Sequence, residues 1–182
     1  MHGMTSPANL ILIGPMGAGK SAIGKSLARR FDLAFVDADA AIEQATGASI
    51  GAIFDCEGEA GFRQRERAML ARLLTDSGQV IATGGGAVLD AENRQRMRER
   101  GLVLHLHADV PTQLQRLQHD RARPLLQRDD RDTVLQDLAR IRDPLYAQTA
   151  HLRFDTSGKS RADTLAQLQW MLQARWPGQA SA

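Results

Sequence analysis

The chain has 182 residues, of which 43% are apolar, 24% charged and 4% aromatic. That length and composition suit one globular domain or at most two small ones, and exclude a disordered tail, a collagen-like repeat and a disulfide-stapled secreted module. The net charge of +2 makes no demand for nucleic acid, and the single Cys56 cannot form an intramolecular disulfide, which favours a reducing compartment.

Residues 1–8 read as a frayed lead-in. The apolar run Leu10-Ile11-Leu12-Ile13 is stopped by Gly14-Pro15. It is too short to cross a membrane and lacks the basic flank of a signal peptide, so a cytoplasmic protein is expected. Asn9 to Ile13 reads as a fully buried strand. Ile23, Leu27 and Phe31 then recur every four residues, the spacing of a helix. Leu33 to Val36 is a second strand, ended by Asp37-Ala38-Asp39. Helices are predicted over Ala40 to Ala45, Ser49 to Phe54 and Glu59 to Leu74. A third strand, Gln79 to Thr83, runs into Gly84-Gly85-Gly86. A polar helix over Ala91 to Arg100 precedes a fourth strand, Leu102 to His107. Val110 to Arg131 mixes a short helix with an Arg- and Asp-rich loop. A helix over Thr133 to Tyr146, a weak fifth strand at Leu152 to Phe154 and a last helix over Arg161 to Ala174 complete the chain.

Alternating strands and helices predict an α/β fold: a parallel five-stranded sheet covered on both faces, in three layers. No repeat or linker divides residues 1–182, so they are expected to form one domain.

Gly14-Pro15-Met16-Gly17-Ala18-Gly19-Lys20-Ser21 matches G-x-x-x-x-G-K-[ST] between a strand and a helix. Glycines in such a loop let backbone N–H groups approach phosphate oxygens, and the following helix offers its positive end to the same anion. Lys20 is placed for the β- and γ-phosphates, and the Ser21 hydroxyl for Mg²⁺. Asp37 and Asp39 stand two apart at a strand end; in an extended chain both carboxylates face one site. One could hold a metal's water shell and the other a substrate hydroxyl, although either could simply cap a helix. The three glycines after strand three permit close backbone approach to a ligand. Arg63, Arg123 and Arg142 stand out within Phe62-Arg63, Arg123-Pro124-Leu125-Leu126 and Arg142-Asp143-Pro144-Leu145-Tyr146. Arg63 could alternatively pair with Glu59 or Glu66 on its own helix.

In this order and spacing these elements resemble the shikimate kinase family, P-loop kinases with a fold like that of nucleoside-monophosphate kinases. The resemblance extends from about Asn9 to Leu172. It implies ATP-dependent phosphorylation of the 3-hydroxyl of shikimate, with Mg²⁺, on the route to chorismate and aromatic amino acids. It implies that Gly17, Ala18, Gly19, Lys20, Ser21 and Ala22 bind nucleotide, with Arg116 near adenine and Asp37 in the outer shell of a metal held by Ser21. Shikimate falls to Asp39, Arg63, Arg142 and Gly85, with its neighbours Gly84 and Gly86. Lys20, Asp39 and Arg123 are the implied catalytic set. Residues of about 37–65 would form a substrate-binding segment, and about 112–131 a mobile lid. The 155–159 loop should finish the adenine pocket. A complete site in one chain predicts a monomer. Two alternatives remain at this stage: a kinase for gluconate or a nucleoside monophosphate, and a non-enzymatic nucleotide switch.

Other residues have plainer expectations. Arg94, Arg96, Arg98 and Arg100 should spread around a solvated helix end. His105 and His107 share a strand face without a third ligand, and are expected to pack rather than bind metal. Cys56 is expected to be a small buried residue. Trp170 and Trp176 are expected to be packing anchors.

Overall fold

The structure, a computed structural model, describes residues 8–120 and 130–176. Five strands, β1 (Asn9–Ile13), β2 (Ala34–Asp37), β3 (Gln79–Ala82), β4 (Gly101–His107) and β5 (Leu152–Asp155), form one parallel sheet. Their spatial order is β2-β3-β1-β4-β5, which puts β1 at the centre. The helices among the described residues are α1 (Lys20–Arg30), α2 (Ala38–Thr46), α3 (Ile50–Leu73), α4 (Ala91–Arg100), α5 (Val110–Leu117), α6 (Arg131–Thr149) and α7 (Arg161–Arg175). A short 3-10 turn at Ala87–Leu89 has no counterpart in the sequence reading.

The central strand explains the layers. Leu10 and Leu12 pack with Ile23 and Leu27 of α1 and with Leu168 and Leu172 of α7. Ile11 and Ile13, pointing the other way, pack with Val88, with Met97 of α4 and with Tyr146 of α6. Side chains alternate along a strand, so an apolar run without polar interruptions fills both faces. Each such side chain contributes roughly 1.5–3 kcal/mol by leaving water. Helix starts are set locally. Asp37, Ser49, Asp90, Asp109 and Ser160 each cap a helix by accepting a backbone N–H three residues on.

Several sequence expectations are corrected. The helices expected over 49–54 and 59–74 are one run, α3, bent at Gly58, whose φ is 69° and ψ −176°. α6 continues through Pro144 to Thr149. Asp39 is not in extended chain: it lies in the first turn of α2, and Asp37 is that helix's cap. Cys56 is exposed, within a solvent-facing run from Asp55 to Ala60. Trp176 is buried edge-on to Phe31, but Trp170 is 76% exposed. Of the α4 arginines, Arg94 donates to the Val88 and Leu89 carbonyls and Arg98 to those of Gln148 and Thr149, so two of them tie the helix to its neighbours.

Candidate active site

The carboxyl ends of the strands gather the chemistry, as expected where a parallel sheet reverses its strand order. At the end of β1 the loop 14–19 turns back through Gly17 and Gly19, with φ of 82° and 86°. A side chain is strained in that region, so these positions need glycine. Gly19 caps α1 without any side chain, leaving the amides at the helix start for a ligand. Lys20 folds back over the loop, its Nζ 2.7 Å from the Gly14 carbonyl and 2.9 Å from that of Pro15. The Ser21 hydroxyl donates to Asp37 Oδ2 at 2.5 Å, while Oδ1 of the same carboxylate caps α2. Asp37 is therefore a helix cap, one of the readings weighed from sequence, and its second oxygen meets the Ser21 hydroxyl.

β3 delivers the glycine turn beside this loop. Both the backbone N–H and the hydroxyl of Thr83 donate to the Leu12 carbonyl, at 3.1 and 2.9 Å, fastening the end of β3 to β1. The three glycines that follow each admit a different side chain. A Cβ on Gly84 would stand 2.9 Å from Asp39 Oδ1 and 3.0 Å from Glu66 Oε2. One on Gly85 would stand 3.2 Å from Arg142 Nη1, and one on Gly86 only 2.2 Å from Arg63 Nη2. The turn is thus a floor on which two guanidinium groups and two carboxylates converge.

Arg63 donates to Glu66 Oε1 at 2.8 Å and more loosely to Glu59, so the ion pairs weighed from sequence form without removing Arg63 from the cleft. Glu66 is 1% exposed; burial pushes its carboxyl pKa up, and the Arg63 charge pulls it back down. It was missed as a site residue from sequence. Its signal was available: Phe62, Glu66 and Leu70 form one buried stripe of α3, with a carboxylate where an apolar residue is normal. Phe54 and Phe62 stack at 4.7 Å and line the same cleft.

On the nucleotide side, Arg116 projects from α5 and donates to the Gly17 carbonyl and the Thr156 hydroxyl, both at 3.0 Å. Its other terminal nitrogen reaches the Thr156 carbonyl at 2.8 Å. It thereby ties the phosphate loop to the 156–159 loop. Thr156, Lys159, Arg161 and Thr164 line the cleft there, residues too generic to have been assigned from sequence. Gly17, Ala18, Gly19, Lys20, Ser21, Ala22, Asp37, Asp39, Arg63, Gly84, Gly85, Gly86, Arg116 and Arg142 all line this one cleft. Arg123 and the rest of 121–129, within the expected lid, lie outside the described residues.

His105 and His107 meet edge-on at 5.7 Å. Among the described residues no group of three or more His, Cys, Asp or Glu side chains could hold a metal. The donor set fits Mg²⁺ in the manner of a phosphate loop, with one hydroxyl and one nearby carboxylate, the remaining ligands coming from phosphates and water.

Residues 16–173 match the family model described as shikimate kinase. The shikimate kinase of Xanthomonas campestris pv. campestris is 55% identical over 173 residues, covering 95% of this chain and 96% of that protein. That of Stenotrophomonas maltophilia is 54% identical over 176 residues, 97% of this chain and 98% of the relative. Among solved structures, the shikimate kinase from Acinetobacter baumannii in complex with shikimate is similar at a TM-score of 0.87 and 44% identity, covering 94% of this chain and 96% of that one. Matched over nearly its whole length, in sequence and in fold, the chain belongs to the shikimate kinase family.

Proposed function

We propose that the chain transfers the γ-phosphoryl group of ATP to the 3-hydroxyl of shikimate, giving shikimate 3-phosphate and ADP on the route to chorismate. The observation that carries this reading is the convergence of Arg63 and Arg142 on the Gly84–Gly86 turn, in the cleft that also holds the phosphate loop. Two guanidinium forks suit a carboxylate, and Asp39 beside them suits ring hydroxyls. Family membership supports the same acceptor over gluconate or a nucleoside monophosphate. The presence of an acceptor pocket argues against a nucleotide switch.

Phosphoryl transfer asks a protein chiefly for alignment and charge stabilisation. Lys20 would exchange its carbonyl partners for β- and γ-phosphate oxygens. Ser21 would ligate Mg²⁺, with Asp37 holding the ion's water shell; the ion neutralises charge that builds on the phosphates. Asp39 would orient the attacking hydroxyl and receive its proton. Arg123, brought in by the 112–131 lid, would meet the transferring group after closure and help exclude water. Arg116 holds the base of the nucleotide pocket. We further propose one domain over residues 1–182, a monomer, and a cytoplasmic location; no helix among the described residues is long and apolar enough to cross a membrane.

The test is ADP release from ATP and Mg²⁺ across shikimate, gluconate and nucleoside monophosphates, for the wild type and Lys20→Ala. Shikimate alone should support turnover, and Lys20→Ala should lose it while keeping its circular dichroism. Comparable turnover with another acceptor would refute the shikimate reading. A folded, fully active Lys20→Ala would refute the role of the phosphate loop.

A further inference from the structure

Tyr146 is 1% exposed, and its hydroxyl donates to the Gly85 carbonyl at 2.6 Å, 61 residues away in sequence. It stands four residues after Arg142 on α6, so the two side chains share one face of that helix. A Cβ on Gly85 would lie 3.2 Å from Arg142 Nη1, 3.6 Å from the Tyr146 hydroxyl and 3.5 Å from the Gly14 carbonyl. One glycine is therefore enclosed by the acceptor arginine, the phosphate loop and the phenol. The ring itself rests on His105, with centroids 4.8 Å apart.

We infer that Tyr146 is a positioning residue for the acceptor: its hydroxyl locks the Gly84–Gly86 turn to the helix that carries Arg142. A phenol has one proton to donate, and here it goes to Gly85. Because the peptide unit is planar and trans, holding the Gly85 carbonyl also fixes the Gly86 N–H on the opposite side, away from Tyr146. The bond thus sets both the orientation of the turn and its spacing from Arg142. Burial, which raises the phenol's pKa, keeps that donor protonated at neutral pH, with Arg142 pulling the other way. Tyr146 need not touch the acceptor to act. The inference rests on the acceptor assignment made above.

The experiment compares wild type, Tyr146→Phe, Tyr146→4-aminophenylalanine and Thr149→Val by KM for shikimate, KM for ATP, kcat and melting temperature. Phe keeps the ring on His105 and removes the hydroxyl, hence both the donor to Gly85 and the hydrogen bond with Arg142; the amino analogue restores an N–H at the same place. Thr149 is also buried on α6, but its hydroxyl donates within the helix to the Leu145 carbonyl at 2.6 Å. It therefore controls for loss of a buried hydrogen bond that does not reach the turn. Tyr146→Phe should lower the melting temperature, because a buried carbonyl loses its donor, and raise the shikimate KM about tenfold as the turn is released, with the ATP KM within twofold. The amino analogue should recover most of that loss, and Thr149→Val should leave the shikimate KM within twofold. An unchanged shikimate KM in Tyr146→Phe, an equal rise in Thr149→Val, or a Phe variant that fails to fold would overturn the inference. If the wild type does not turn over shikimate at all, the acceptor assignment falls and this role falls with it.

Discussion

Arg142 is a charge that cannot be shed, in a position only 7% exposed. Its Nε has no hydrogen-bond partner among the described residues, and its charge acts on the buried Glu66 nearby. Such a charge is costly to bury unless its donors are matched, and a ligand carboxylate would match them. Lysine at this position keeps the charge but loses the planar fork. Arg142→Lys should therefore weaken shikimate binding by roughly ten- to a hundredfold, the equivalent of about 1.5–3 kcal/mol for a charge-assisted hydrogen bond, with ADP affinity nearly unchanged. Calorimetry with each ligand separates the two effects, and an undiminished shikimate affinity would remove Arg142 from the carboxylate site. At this scale the sequence was most legible where a backbone conformation demands one residue type, as at Gly19, or where a motif orders several groups. Glu66 was not read, because a carboxylate on a helix is ordinarily a surface residue. Its place between Phe62 and Leu70 at helical spacing is the one sign that it faces inward.

Among the elements, α3 departs most from its sequence reading, and Gly58 is the reason. The apolar pattern lapses between Phe54 and Phe62, which reads as a break, whereas the chain bends once and resumes. Its φ of 69° with ψ of −176° belongs to a region that is essentially open to glycine alone. Nothing lies within 4 Å of where a Cβ would be, so the constraint is in the backbone and not in packing. The bend divides this wall of the cleft: Ile50 and Phe54 lie before it, and Phe62, Arg63 and Glu66 after it. Arg65 spans it with two hydrogen bonds to Glu57, at 2.8 and 2.6 Å. Gly58→Ala should cost about 1–3 kcal/mol of stability, a fall of several degrees in melting temperature for a chain of this length. It should also raise the shikimate KM more than the ATP KM, since only the acceptor side is displaced. A melting temperature and both KM values equal to wild type would show that the bend needs no glycine. The exposure of Trp170 has a simpler origin that the sequence did contain. It stands two residues beyond Leu168, about 200° around the helix, on the face opposite the Leu168 and Leu172 stripe.

For the whole molecule, the parallel sheet, its two-sided core and the gathering of the site at one edge were readable, whereas the spatial order of the strands was not. The readable features follow from apolar runs and from the motif at the end of β1. Nor could the sequence show how the phosphate loop, the glycine turn and α6 share one buried foundation. His105 lies in it, 2% exposed, against the Tyr146 ring and within 3.5 Å of where a Cβ on Gly14 would be. Burial pushes its pKa down to about 4, helped by the neighbouring His107, Arg153 and Lys20 charges and opposed by Asp155. An imidazole freed by unfolding titrates near 6.5. Between pH 6.5 and 4 the unfolded chain therefore binds a proton that the folded chain refuses, so stability is lost as pH falls through that window. The loss approaches about 1.4 kcal/mol per pH unit and totals about 3 kcal/mol. Glu66, with its pKa raised, works in the opposite sense: its contribution is present below 4.5 and lost as pH rises through its folded value. The comparison that isolates His105 is thus wild type against His105→Phe, in which Glu66 is common to both. Urea unfolding at intervals from pH 7.5 to 4.5 should show the two stabilities differing by a constant above pH 7. Below pH 6.5 the wild type should fall increasingly behind its variant. A difference that stays flat across the whole range would mean that His105 takes up its proton in the folded protein as readily as in the unfolded chain.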